Sequence, residues 1–78
     1  MARILVVDDD PRLRDSLRRA LARLDHEVVE AGSLEEALER LSSPVDLLVT
    51  DIRLGTGSGL DLIAQARRDS LASKIVAM

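Results

Sequence analysis

Short aliphatic runs alternate with amphipathic segments along the whole chain, and this alternation limits the fold more than any other feature. The runs lie at residues 4–7, 27–31, 46–51 and 74–78. Runs of this kind are typical of strands in a parallel sheet that is covered on both faces. Since a helical pattern follows each of the first three runs, the sequence predicts an α/β domain with right-handed crossovers.

Each of the three predicted helices has a polar residue at its start. Asp10 is placed to cap the first helix, and Pro11 suits its first turn. Ser33 and Glu36 have capping-box spacing, as do Ser58 and Asp61. The predicted apolar stripes consist of Leu13, Leu17, Ala20, Leu21 and Leu24 in the first helix, Leu34, Ala37, Leu38 and Leu41 in the second, and Leu60, Ile63 and Ala64 in the third.

Composition narrows the class of protein. A chain of 78 residues, 46% apolar but without Phe, Trp or Tyr, allows one domain with a small aliphatic core. The absence of cysteine suits a reducing cytosol. We expect a soluble cytoplasmic protein, because no signal peptide is evident and the apolar runs are too short to cross a bilayer. The net charge of −3 gives no general attraction to nucleic acid or an anionic membrane.

Four carboxylates stand at strand ends. Asp8, Asp9 and Asp10 follow the first strand, and Asp51 ends the third. If the strand order is 2-1-3-4, these carboxylates converge at the carboxyl edge of the sheet, where α/β domains bind ligands. Crowded carboxylates repel unless a cation joins them, and Mg²⁺ prefers oxygen ligands. The sequence therefore predicts a magnesium site.

These motifs resemble the receiver domains of bacterial response regulators in two-component signalling, of which the chemotaxis receiver is a familiar member. The resemblance rests on ILVVDDD at 4–10, AGSLEEAL at 31–38, and DLLVTDIRL at 46–54 followed by GLDLI at 59–63. It covers every predicted element. It implies a flavodoxin-like parallel sheet with the order 2-1-3-4.

The resemblance also implies a site and a reaction. Asp51 matches the phosphoacceptor, which takes a phosphoryl group from a phosphohistidine on a histidine kinase or phosphotransfer protein. Asp9 matches the direct ligand of Mg²⁺, Asp8 the acid that holds metal-bound water, and the backbone carbonyl of Arg53 a further ligand. On this interpretation the chain is a phosphorylated signalling domain and not an enzyme.

The sequence departs from the family pattern in three places. Gly55 stands where proline is common and Ser58 where aspartate is common, so we expect a mobile loop after Asp51. The chain also stops at Met78, one residue before the family's phosphate-sensing Thr or Ser. Residues 1–78 are therefore expected to form a partial receiver, a (βα)3β unit that lacks the usual fifth strand, its lysine and the last two helices.

Other interpretations of single motifs are weaker. Asp10 is better explained as a helix cap than as a metal ligand. The arginines of the first helix, interspersed with acids, favour a solvated face over a nucleic-acid surface. The glycine-rich segment 55–59 lacks the spacing of a dinucleotide-binding or P-loop motif.

Two other functions remain open. A haloacid-dehalogenase-type phosphatase would use the pair Asp8 and Asp10, but Pro11 and Arg12 do not fit its motif and Asp51 stays unexplained. Alternatively, the chain is a truncated or engineered half-domain that only self-associates. The edge of the fourth strand, at 74–78, is expected to be exposed and to pair with a second copy, which predicts a homo-oligomer.

Overall fold

The computed structural model, which describes residues 1–54 and 57–78, contains the predicted succession of strands and helices. The strands are β1 (Arg3–Val7), β2 (Glu27–Ala31), β3 (Val45–Thr50), β4 (Arg53–Leu54), β5 (Gly57–Ser58) and β6 (Ala72–Ala77), and the helices are α1 (Pro11–Arg23), α2 (Leu34–Arg40) and α3 (Gly59–Arg68). The predicted boundaries differ from these by a few residues. Asp51, for example, follows β3 and is not its last residue.

Four strands form a parallel sheet in the order β2-β1-β3-β6. Val6 in the middle of β1 pairs with Glu30 of β2 on one side and with Val49 of β3 on the other. Since β6 is the fourth strand of the prediction, the predicted order 2-1-3-4 is confirmed. The order places β1 next to β3, as the convergence of their acidic ends requires.

The segment after Asp51 contains structure that the sequence did not predict. β4 and β5 form a two-residue antiparallel pair, in which Arg53 lies opposite Ser58. So short a ladder leaves no periodicity in the sequence, and the glycines there indicated only a turn. The expectation of mobility at Gly55 lies outside the described residues.

The main core lies between one face of the sheet and the helices α2 and α3. Its buried members include Leu5 and Leu48 from the sheet, Ala37 from α2 and Leu62 from α3. Each is at most 2% exposed. The predicted stripe of α2 is confirmed, because Ala37 and Leu41 are buried and Leu34 and Leu38 pack against the core.

The helix α1 packs against β1 and β2 but is not deeply covered. None of its 13 residues, all of which are described, is buried. Leu13, a member of the predicted stripe, is 41% exposed, and Leu24 just after the helix is 66% exposed. The apolar stripe predicted for α1 is therefore only partly buried in this fold.

The predicted stripe of α3 is wrong. Leu62 and Ala66 are buried together with Gly59, whereas Leu60 is 58% exposed. The reason is that α3 begins at Gly59, which lies against the backbone after β3, and this contact directs the residues one and two turns later toward the core.

The predicted helix caps are confirmed. The Asp10 side chain accepts a hydrogen bond from Arg12 N–H, and the Ser33 hydroxyl accepts one from Glu36 N–H. Ser58 caps α3 by accepting from Leu60 N–H, two residues on, and not from Asp61 N–H as the capping-box spacing predicted. Within the described part of the chain, no helix has the length and apolar character needed to span a membrane.

Candidate metal and phosphoacceptor site

Three of the predicted acids lie together at the carboxyl edge of the sheet. One carboxylate oxygen each from Asp8, Asp9 and Asp51 lies within 4.8 Å of the others. The sheet causes this clustering, because β1 and β3 are parallel neighbours and their ends lie at the same edge. The convergence predicted for the pair of residues after β1 and the single residue after β3 is confirmed.

Asp8 is the buried member of the cluster, with only 2% of its surface exposed. Its N–H donates to Ala31 O over 3.1 Å, and its Oδ1 accepts from Asp10 N–H over 2.8 Å. Burial raises the pKa of Asp8 above 3.8, and the negative charges of Asp51 and Asp9 raise it further, although the hydrogen bond from Asp10 acts in the opposite direction.

Asp51 is half-buried and its backbone is fixed on both sides. Its N–H donates to Val7 O over 2.9 Å, which continues the ladder between β1 and β3, and its carbonyl accepts from the Thr50 hydroxyl over 3.0 Å. Arg53 N–H donates to Asp51 Oδ1 over 3.1 Å. The carboxylate is thus held in one orientation beside the other two acids.

The cluster has the donor set of a hard-cation site. Asp9 is exposed and Asp51 half-buried, so a cation can reach the cluster from the side of these two acids. Three carboxylates with one buried member favour a bound cation, and oxygen-only ligands suit Mg²⁺. Asp10 is not one of these three acids and serves as the cap of α1. The role of the Arg53 carbonyl stays a prediction.

Gly59 is a residue whose importance sequence reasoning missed. A Cβ built on it would lie 1.9 Å from Asp51 O and 2.9 Å from Ile52 Cα. Gly59 N–H also donates to Ile52 O over 2.9 Å. The start of α3 therefore touches the backbone of the candidate phosphoacceptor. The signals in the sequence were the place of this glycine directly after the capping Ser58 and at the start of the GLDLI motif at 59–63.

Arg14 is the second residue that was missed. The sequence interpretation placed it with the other arginines on the solvated face of α1. Its Nη1 instead donates to the backbone carbonyl of Asp8 over 2.8 Å, and its side chain is only 21% exposed. No sequence pattern distinguished it from its neighbours Arg12 and Arg18.

A comparison with models of protein families identifies the family of this chain. Residues 4–78 match the model of the response regulator receiver domain. The chain belongs to this family. Receiver domains are signalling domains of two-component systems, and the acidic cluster lies at the carboxyl edge of this receiver's sheet.

Two curated relatives are similar to this receiver domain. It is 45% identical to the response regulator protein PilR of Pseudomonas aeruginosa over 60 residues, which make up 76% of this chain and 14% of PilR. It is 38% identical over 76 residues to the chemotaxis protein CheY1 of Helicobacter pylori, covering 94% of this chain and 61% of CheY1. The chain thus spans less than two thirds of either relative.

A solved structure has the same fold. The response regulator protein TrrA of Thermotoga maritima, in complex with Mg²⁺ and beryllium fluoride, superimposes on this receiver domain with a TM-score of 0.84 at 29% identity. The match covers 100% of this chain and 87% of TrrA. The α/β architecture expected from the sequence is therefore confirmed.

Proposed function

We propose that this chain is the phosphoacceptor of a two-component phosphorelay, in which Asp51 receives a phosphoryl group from a phosphohistidine on a histidine kinase or phosphotransfer protein. The observation that carries the proposal is the convergence of Asp8, Asp9 and Asp51 within 4.8 Å. Membership of the receiver family supports it.

The chemistry required of Asp51 is a nucleophilic displacement at phosphorus. A carboxylate oxygen forms a bond to phosphorus, the P–N bond to the donor imidazole breaks, and the imidazole nitrogen keeps the electron pair. The product is an acyl phosphate on Asp51. The hydrogen bond from Arg53 N–H fixes the carboxylate in one rotamer, and such positioning is the main contribution a protein makes to phosphoryl transfer.

Asp8, Asp9 and Asp51 would hold Mg²⁺, with the backbone carbonyl of Arg53 as a further ligand. When bound, Mg²⁺ neutralises negative charge on the acids and on the phosphoryl oxygens. The raised pKa of Asp8 supports this assignment, because a buried acid with like-charged neighbours lacks a counter-charge. The complex of TrrA with Mg²⁺ and beryllium fluoride supports it independently, since beryllium fluoride has the tetrahedral shape of a phosphoryl group.

The test is phosphorus NMR of the chain with Mg²⁺ and acetyl phosphate. We expect an acyl-phosphate signal in the wild type and none in Asp51→Asn. Asp25→Asn is the matched control: it makes the same change of charge in the exposed turn after α1, at a φ of 67° that asparagine also tolerates. The control is expected to keep the signal. A signal that persists in Asp51→Asn would contradict the assignment.

The haloacid-dehalogenase alternative is less well supported. That chemistry needs Asp8 and Asp10 as a catalytic pair, whereas the Asp10 carboxylate accepts from Arg12 N–H and its backbone N–H donates to Asp8. We propose that the chain is modified on Asp51 and is not an enzyme that turns over a separate substrate. A phosphatase assay with a small phosphate ester checks this.

We propose a cytoplasmic location and no binding of nucleic acid or membrane by this chain. A kinase makes its phosphohistidine from ATP, which the cytoplasm supplies. The arginines of α1 support the second point, because Arg18 pairs with Asp15 and Glu30, and Arg19 pairs with Asp15. These ion pairs offset part of the positive charge of α1 within the domain, as expected for a solvated face.

We also propose that the chain forms a homo-oligomer through the edge of β6. This strand pairs with β3 on one side, and within the described parts of the chain no strand pairs with its other side. Val76 in this strand is 48% exposed, and Met78 just after it is 43% exposed. Exposed apolar edge strands pair readily with a second chain, although Lys74 partly protects this one.

A further inference from the structure

The Arg14 side chain extends from the first turn of α1 to the acidic cluster. Its Nη1 donates to Asp8 O over 2.8 Å. Its Nε lies 3.5 Å from Glu30 Oε1, in an ion pair without hydrogen-bond geometry. The guanidinium group thus bridges the end of β1 and the end of β2.

Gly32 provides the space for this guanidinium group. A Cβ at position 32 would lie 2.7 Å from Arg14 Nη1 and 3.5 Å from its Cζ. None of the described glycines has a positive φ, so alanine fits the backbone at this position. Gly32→Ala would therefore displace the guanidinium group without straining the chain.

The carbonyl that Arg14 binds belongs to the peptide group between Asp8 and Asp9. Asp8 has two other attachments, its N–H to Ala31 O and its Oδ1 to Asp10 N–H. The first lies before that peptide, and the second closes a turn across it. The hydrogen bond from Arg14 is the one that binds the carbonyl of this peptide, and together with the turn it fixes the plane of the peptide and the direction in which the Asp9 side chain leaves the backbone.

We propose that Arg14 is a positioning residue of the metal site, which holds the Asp8–Asp9 peptide in the orientation that presents both carboxylates to a divalent cation. The inference rests on the proposed function and adds to it a residue that touches neither the cation nor the phosphoryl group. Groups that orient metal ligands in this way commonly change metal affinity by about 10- to 100-fold when they are removed.

An electrostatic role and a positioning role of Arg14 predict opposite changes in Mg²⁺ affinity for Arg14→Met. Removing a positive charge near a cation site strengthens cation binding if electrostatics alone matters. Removing a positioning contact weakens it. We expect Mg²⁺ to bind Arg14→Met about 10-fold more weakly than the wild type, and Arg14→Lys, whose ammonium can also donate to a carbonyl, to recover part of the loss.

The experiment is a Mg²⁺ titration of the whole chain by calorimetry at neutral pH. It compares the wild type with Arg14→Met, Gly32→Ala and the double variant. Gly32→Ala alone is expected to weaken Mg²⁺ binding, and to have no further effect once Arg14 is replaced, because both changes remove the same contact.

Arg18→Met is the matched control, since Arg18 pairs with Glu30 but does not contact Asp8. Its Mg²⁺ affinity is expected to equal that of the wild type.

A second measurement does not use the metal. The carbonyl carbon-13 shift of Asp8, recorded without Mg²⁺, is expected to move in Arg14→Met and Gly32→Ala but not in Arg18→Met. Wild-type Mg²⁺ affinity in Arg14→Met, or additive effects of the two changes, would overturn the inference and leave the proposed function intact. A wild-type chain that does not bind Mg²⁺ would overturn both.

Discussion

At the scale of single residues, the sequence was sufficient to predict the acids of the cluster but not the residues that contact and orient them. Asp8, Asp9 and Asp51 follow aliphatic runs, and a parallel sheet brings the ends of neighbouring strands together. Arg14 reaches its partner through a long side chain whose direction depends on how α1 sits on the sheet. No local pattern encodes such a contact, so it became visible only in three dimensions.

The raised pKa of Asp8 makes stability depend on pH when no metal is present. The folded chain binds this proton more tightly than the unfolded chain, so the free energy of unfolding falls as the pH rises from 3.8 through the raised pKa. In EDTA at neutral pH, Asp8→Asn is therefore expected to have a higher Tm than the wild type. This advantage shrinks as the pH falls toward 3.8. Thermal unfolding followed by circular dichroism measures both Tm values.

Magnesium is expected to reverse that order. At about 100 times its Kd, Mg²⁺ stabilises a protein that binds it only when folded by about 2.7 kcal/mol. The wild type is expected to gain this amount and Asp8→Asn much less. An equal gain in both proteins would argue against Asp8 as part of the site.

At the scale of helices and strands, the starts of the helices were predicted correctly, but the buried face of α3 was not. Caps depend on a few adjacent residues, such as Ser33 and Glu36, so the local sequence determines them. The buried face of α3 depends instead on the contact of Gly59 with the backbone after β3. The apolar stripe of Leu60, Ile63 and Ala64 could not reveal which way that contact turns the helix.

The short helix α2 depends on its cap. Ser33→Ala removes the acceptor for Glu36 N–H and is expected to lower the free energy of unfolding by about 1 kcal/mol. Urea unfolding measures this loss. Ser43→Ala, in the exposed turn after α2, is the control and is expected to change stability little. Equal losses in the two variants would show that the cap contributes nothing.

The two faces of the sheet are expected to differ in what they contribute to stability. Leu62 in α3 is fully buried, so Leu62→Ala is expected to cost about 2 to 5 kcal/mol. Leu13→Ala in α1, where the side chain is 41% exposed, is expected to cost much less. Urea titrations measure the free energy of unfolding of both variants. A larger loss in Leu13→Ala than in Leu62→Ala would contradict the assignment of the core to α2 and α3.

At the scale of the whole molecule, the alternation of strand and helix patterns was sufficient to predict the architecture. Right-handed crossovers leave few arrangements for four parallel strands, and the order β2-β1-β3-β6 is one of them. The antiparallel pair of β4 and β5 was not predictable, because two residues per strand carry no periodic signal.

The exposed edge of β6 leads to a prediction about assembly. Sedimentation equilibrium over a range of concentrations is expected to detect a dimer of the wild type. Val76→Lys, which places a charge on the exposed edge strand, is expected to weaken the dimer at least 10-fold, about 1.4 kcal/mol. Leu24→Lys places the same charge after α1 and serves as the control. A monomer at every concentration would exclude this interface.

The contact between Gly59 and Asp51 has a consequence for genetics. A library that randomises position 59 and selects for signalling is expected to return glycine almost alone, because any Cβ there displaces the main chain of Asp51. A library at the adjacent position 60, where the leucine is exposed, is expected to return many residue types. The residue most intolerant of substitution in this part of the chain would then be one that takes no part in the chemistry.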